Sequence, residues 1–248
     1  MRLLPLLLML LPALALAIAT GEARDRDGNL LYVEHHRLDG TRHEIEYRDA
    51  DGELFATNSL DYRYGDTHPA YRQHLFAGRE PEAGGSQYRT QRQRQRQEGA
   101  RWQQGALVLF HSEGDREREK RVDVRQPLVL SSGFDRFVRG HWEALQRGDQ
   151  LRFHFGVPAR LSVVELRLLP VPSDEVPAGG LALRAEAASR LLRLVSSPIE
   201  LLYDGDRRLL RYRGVSNLPF GESAPWVEIT YRYDKPSDAA RPGLVANP

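Results

Sequence analysis

After residue 19 the chain alternates apolar and polar positions, broken at short intervals by turn residues. Leu30–Arg37, Glu44–Arg48 and Glu53–Tyr62 read as strands, separated by Asp39-Gly40 and by Asp49-Ala50-Asp51-Gly52. Asp-Gly pairs tolerate the positive φ of tight hairpins, so these strands are expected as antiparallel neighbours. Gly65, Pro69, Pro81, Gly84 and Gly85 punctuate 65–87, which reads as a long loop with one short element around Tyr71–Phe76. Ala106–Phe110 is a compact apolar strand. Arg116–Val124 alternates charge signs, which keeps an exposed sheet edge from unwanted pairing. Strands resume at Gln150–Phe155, Leu161–Leu169, Leu181–Ala185, Ile199–Tyr203, Leu209–Arg213 and Trp226–Tyr233, with a loop at 170–180 and a hairpin turn at Asp204-Gly205-Asp206.

One segment changes period. Phe134, Phe137, Val138, His141, Trp142 and Leu145 recur at spacings of three and four, while Asp135, Arg136, Arg139 and Glu143 take the other side. This predicts an amphipathic helix over 133–147, capped by Ser131 or Ser132 and stopped by Gly148. A second short helix is a further candidate at 187–195, before Pro198. The expected fold is mainly β: a single antiparallel, strongly curved sheet or incomplete barrel, wrapped on the 133–147 helix. Two consecutive β subdomains, split near 79–104, are the alternative.

Residues 1–19 stand apart. Arg2 precedes an almost unbroken apolar run, Ala17-Ile18-Ala19 ends it, and charge resumes at Glu22. This is the pattern of a secretory signal peptide, too short and too proline-bearing for a membrane span. The expectation is a leader at 1–19, a single β-rich domain at 20–235 and a flexible tail at 236–248. The place is the periplasm, with no lipid anchor because no Cys is present to acylate. No other segment is apolar enough to span a bilayer.

Composition narrows the chemistry. The 35 basic and 34 acidic side chains leave a net charge of +1, which gives no nucleic-acid footprint. The lack of Cys excludes disulfides, thiol catalysis and cysteine-bound metals. Neither lysine follows a glycine, so no Walker A loop exists, and there is no dinucleotide glycine fingerprint or nucleophile elbow. His43-Glu44-Ile45-Glu46-Tyr47 fails the zinc-protease pattern at its last position. Asp25–Gly28 and Asp49–Gly52 lack calcium-loop ligands and read as hairpin turns. His35 and His36 point to opposite faces of a strand, so at most one shares a site with His43. No metal and no cofactor is expected. The Gln91–Gln97 run, with Arg and Gln on opposite faces, reads as an exposed strand or loop.

Two stretches carry a resemblance. One is Ser132-Gly133-Phe134-Asp135-Arg136-Phe137-Val138-Arg139, continuing through Trp142, Leu145, Gly148 and Phe155-Gly156-Val157-Pro158. The other is Ser197-Pro198-Ile199-Glu200-Leu201 with Tyr203-Asp204, then Leu209 through Asn217. On these residues the chain resembles uncharacterised exported proteins of Gram-negative bacteria, a family from which no activity carries over. Its layout also resembles periplasmic curved-sheet proteins of the lipoprotein-carrier type, in which an open barrel with a helical lid holds acyl chains. Export, β richness, one amphipathic helix and the lack of a catalytic motif point to a non-enzymatic binding or carrier module for an apolar or anionic-amphiphilic ligand. Phe134, Phe137, His141 and Trp142 would form its wall, and Arg136 and Arg139 would meet a headgroup at the rim. A structural or protein-interaction module of the envelope is the first alternative, using an edge such as 91–97. An envelope hydrolase using Asp135, His141 and Asn217 is the second.

Overall fold

The computed structural model describes residues 17–76, 78–81, 88–91, 95–194, 196–218 and 224–234. Residues 1–16 of the expected leader, the tail at 236–248 and Arg92–Arg94 of the Arg/Gln run lie outside these.

The chain is mostly β, and its first half is a meander. It runs through β1 (Ala17–Arg24), β2 (Leu30–Asp39), β3 (Arg42–Asp49), β4 (Leu54–Asp61) and β5 (Ala70–Leu75). A separate small hairpin follows, β6 (Gly78–Pro81) with β7 (Tyr88–Gln91). The meander continues with β8 (Arg96–Gln103), β9 (Ala106–Glu113) and β10 (Arg116–Val122). Asp-Gly turns work as their chemistry dictates. At both Asp25 and Asp49 the carboxylate accepts backbone N–H bonds from two and four residues on, at 2.9 to 3.0 Å. These bonds make both segments hairpin turns.

The second half starts with β11 (Leu128–Val129), then α1 (Gly133–Gly140) and α2 (Trp142–Gln146). It continues through β12 (Leu151–Val157), β13 (Ser162–Pro170) and β14 (Leu181–Ala187), then the one-turn α3 (Arg190–Arg193). Three strands end it: β15 (Ile199–Tyr203), β16 (Leu209–Val215) and β17 (Trp226–Tyr233). All but β6 and β7 form one 15-stranded sheet in the order β10-β9-β8-β5-β4-β3-β2-β1-β17-β16-β15-β14-β13-β12-β11. The first strand pairs with the last, Ala19 lying opposite Tyr233. The fully exposed Arg116–Arg121 run is at one edge, as its charge predicts.

The edges curl toward each other without a hydrogen-bonded ladder between β10 and β11. A Cβ added to Gly156 of β12 would lie 2.4 Å from Leu130 and 3.6 Å from Leu109 of β9, so opposite flanks pack through this point. Between them, Thr67 in the loop before β5 accepts from Leu130 N (2.8 Å) and donates its hydroxyl to the Leu128 carbonyl (2.8 Å).

Four expectations need correction. The sheet is mixed, because β11 runs parallel to β12. Parallel neighbours need a crossover, and α1 with α2 supplies it. The 133–147 helix is two helices, broken at His141 (φ −114°). Gly140 supplies little helix propensity there, and His141 Nδ1 bonds the Phe137 carbonyl at 2.8 Å. Neither serine caps α1. Its first amides bond to the Leu130, Ser131 and Ser132 carbonyls, and the Ser131 hydroxyl accepts from Asn58 instead. The 187–195 helix shrinks to one turn because Leu181–Ala187 stays in the sheet, paired with β13 and β15.

Two cores result. One fills the inside of the curl, with Tyr32, Tyr47, Phe55, Leu107, Leu128 and Ile229 among its members. The other holds Phe137, Val138, Trp142 and Leu145 of the helices against Phe153, Leu168, Leu183 and Tyr203. The Phe137 ring lies 5.0 Å from Phe153, and Trp142 meets Tyr203 edge-on at 5.9 Å. Burying each such side chain stabilises the fold by roughly 1.5–3 kcal/mol.

Candidate functional site

Because strand side chains alternate, the face of β14–β17 opposite the helices carries charge. Cross-strand register places Arg24 opposite Glu228, Glu228 opposite Arg213, Arg213 opposite Glu200 and Glu200 opposite Arg184. This alternating row closes on itself. Arg213 bonds Glu228 at 2.5 Å and Arg184 bonds Glu200 at 3.1 Å.

Next to this row is Arg26, in the turn between β1 and β2. Its guanidinium lies 5.1 Å over the Trp226 ring, and it has no acidic partner among the described residues. Arg26, Trp226, Arg213, Glu200, Ser197 and Pro198 line an open cleft of about 230 Å³. That is room for about seven or eight waters, so it fits a small charged group with a few carbons and not an acyl chain. A second cleft of about 200 Å³ adjoins it beneath the 171–175 loop and shares Glu200 and Arg213. There Glu175 pairs with Arg211, and this bond holds the Glu175 carboxyl below its ordinary range. Four of the six residues of the first cleft (Ser197, Pro198, Glu200, Arg213) fall within residues 197–217. Arg26 and Trp226 were missed in the sequence because each reads locally as a turn or a strand end.

The six residues expected from sequence lie elsewhere. Phe137 and Trp142 are buried in the helix–sheet core, and Phe134 packs half-buried against Phe153 at 5.6 Å. His141 is half-buried, satisfied by the Phe137 carbonyl. Arg136 stacks on Tyr62 (3.6 Å to the ring centroid) and pairs with Asp66. Arg139 pairs with Asp135 at 2.9 Å. None of the six lines either cleft.

The hydrolase candidates do not converge. Asp135 bonds Arg139 and His141 bonds the Phe137 carbonyl. Asn217, beyond β16, accepts from Gln73 through its carbonyl at 3.0 Å. No hydrogen bond joins any two of them among the described residues.

The inner face of the first half is unexpectedly polar. His36, Ile45, Asn58, Gln73, Glu98 and His111 follow one another across six strands. At one end of this row Glu34 Oε2 accepts from Tyr231 Oη (3.0 Å) and lies 3.1 Å from His36 Nε2. Nδ1 of His36 is 3.0 Å from Nε2 of His43, so these two do share a site. A carboxylate only accepts, so His36 Nε2 carries a proton; with both rings neutral, His36 Nδ1 accepts from His43. The His43 ring stacks on Tyr62, beneath Arg136. Burial, then His36, then Arg136 lower the His43 pKa to about 3. A base that weak is not poised for proton transfer near neutral pH. No group of three or more His, Asp or Glu among the described residues is arranged to hold a metal ion.

No family model and no curated protein matches the chain. Among solved structures it is similar to a β-barrel-like protein of domain of unknown function DUF1849 from Brucella abortus. The TM-score is 0.50 at 9% identity, over 88% of this chain and 99% of that one. The likeness extends to the fold alone.

Proposed function

We propose that this chain is a non-enzymatic binding module of the cell envelope that takes the anionic head of an amphiphile in the Arg26–Trp226 cleft. The observation that carries the reading is Arg26: an exposed guanidinium over an indole, without an ion pair among the described residues, where Arg184, Arg211 and Arg213 each have one. A free guanidinium presents a donor fork to a phosphate or carboxylate, and Trp226 with Pro198 offers apolar surface to the first carbons. The cleft is too small for a whole acyl chain, and the rings behind α1 and α2 pack on protein. The ligand's tail therefore stays outside.

Calorimetry with dodecyl phosphate below its micelle concentration tests this, with dodecyl maltoside as the uncharged comparison. Dodecyl phosphate is expected to bind and the maltoside not. Arg26→Ala is expected to weaken binding about tenfold, as loss of a charge-assisted bond does. Equal binding of the two detergents, or unchanged affinity in Arg26→Ala, would refute the reading.

A further inference from the structure

The largest exposed apolar group in the described structure is a tip, the connection between β14 and β15. Leu191, Leu192 and Leu194 there are 78%, 51% and 83% exposed. Isolated surface leucines are ordinary, but three within four residues on one turn are not.

The tip is held in shape. The Arg193 guanidinium donates to the Ala187 and Ala188 carbonyls at 2.9 Å each and lies 3.6 Å from Glu186. Arg193 N bonds the Ser189 carbonyl, and the Ser196 hydroxyl donates to the Leu192 carbonyl at 2.8 Å. The backbone is thus fixed by Arg193 while the leucines project. From Ala187 to Ile199 there are two arginines, five alanine or serine positions near the turn's base, and no acidic residue, with Glu186 and Glu200 just outside. Arg190 is exposed and makes no ion pair among the described residues. Three residues past Leu194 the chain reaches Ser197 and Pro198, which line the Arg26–Trp226 cleft.

We infer that this tip is a membrane-docking surface whose partner is an anionic lipid bilayer. The leucines enter the acyl boundary, and Arg190 meets the anionic headgroups. Exposed apolar side chains beside Arg190, with the nearby Glu186 carboxylate engaged by Arg167 and Arg193, complement a negatively charged interface. The inference stands on the tip alone, without the cleft's ligand.

The chain has no Cys, so a single Ser189→Cys carries an environment-sensitive fluorophore beside the tip with all three leucines intact. A second label at Asp115→Cys, in the β9–β10 turn, serves as the control. Full-length protein is mixed with vesicles of phosphatidylglycerol and phosphatidylethanolamine, and separately with pure phosphatidylcholine. The expected result is a blue shift at position 189 on the anionic vesicles, weakened by high salt, with position 115 unchanged. Each Leu→Ser change is expected to reduce the shift's apparent affinity about tenfold. Arg190→Glu is expected to reduce it several-fold. No shift on any vesicle overturns the proposal. So does an equal shift on phosphatidylcholine, or an equal shift in the triple serine variant. A shift at 189 that arises only with an added protein assigns the tip to a protein partner and also overturns it.

Discussion

His43→Gln is expected to remove about 2 kcal/mol of the protein's loss of stability between pH 7.5 and pH 5. The His43 ring lies among His36, Tyr62 and Arg136, with Glu34 on the far side of His36. Its pKa is lowered from 6.5 to about 3 by burial, by His36 and by Arg136. In the unfolded chain the imidazole takes up a proton below pH 6.5; in the fold it does not. The depressed value therefore contributes stability that is fully present above pH 6.5 and lost as pH falls toward 3. At pH 5 the loss from this one ring is about 2 kcal/mol relative to pH 7.5. Glutamine keeps an N–H donor for His36 and cannot ionise. Urea unfolding of both proteins at the two pH values measures the effect: the native chain loses about 2 kcal/mol more than the variant. Imidazole nitrogen NMR checks the cause, with the His43 ring neutral at pH 5. Parallel acid limits in the two proteins, or a His43 ring that titrates near 6.5, would refute the reasoning.

Three further outcomes follow from packing and edges. Phe137→Ala, removing a buried ring between Phe153 and His141, is expected to cost about 3–5 kcal/mol in urea unfolding with an unchanged m-value. Gly133→Ala places a Cβ 2.3 Å from the Thr67 carbonyl oxygen, a backbone atom with little freedom, and is expected to cost about 1–3 kcal/mol despite alanine's helix preference. Arg118→Val with Lys120→Val removes charge from the exposed β10 edge and is expected to leave thermal unfolding nearly unchanged while light scattering shows association.

Much of the fold was legible. The Asp-Gly turns at 39–40 and 49–52 and the charged run at 116–122 act through local chemistry, and each is where the alternation and turn residues put it. The helical stripe was legible too, but its break was not, since it depends on His141 reaching back to the Phe137 carbonyl. Strand β8 was hidden because Gly99, where an added Cβ would fall 2.0 Å from the Tyr71 carbonyl, and its polar neighbours suppress the alternation. The inner polar row was invisible for a related reason: Asn58, Gln73 and Glu98 occupy inward positions where a pattern reading expects apolar residues. The cleft escaped because Arg26 and Trp226 are two hundred residues apart in sequence and meet only through the pairing of β1 with β17.

That pairing also dictates an order of assembly. Each flank of the sheet is a run of neighbours in sequence and can zip as it emerges from synthesis. The β1–β17 seam waits for β17, so until that strand is out the two flanks meet only through packing and loop contacts such as those of Thr67 with Leu128 and Leu130. Closure over so long a separation is entropically slow. A circularly permuted version opened at 123–127, with the old ends joined, would turn the seam into a neighbouring-strand contact and is expected to fold faster into the same shape.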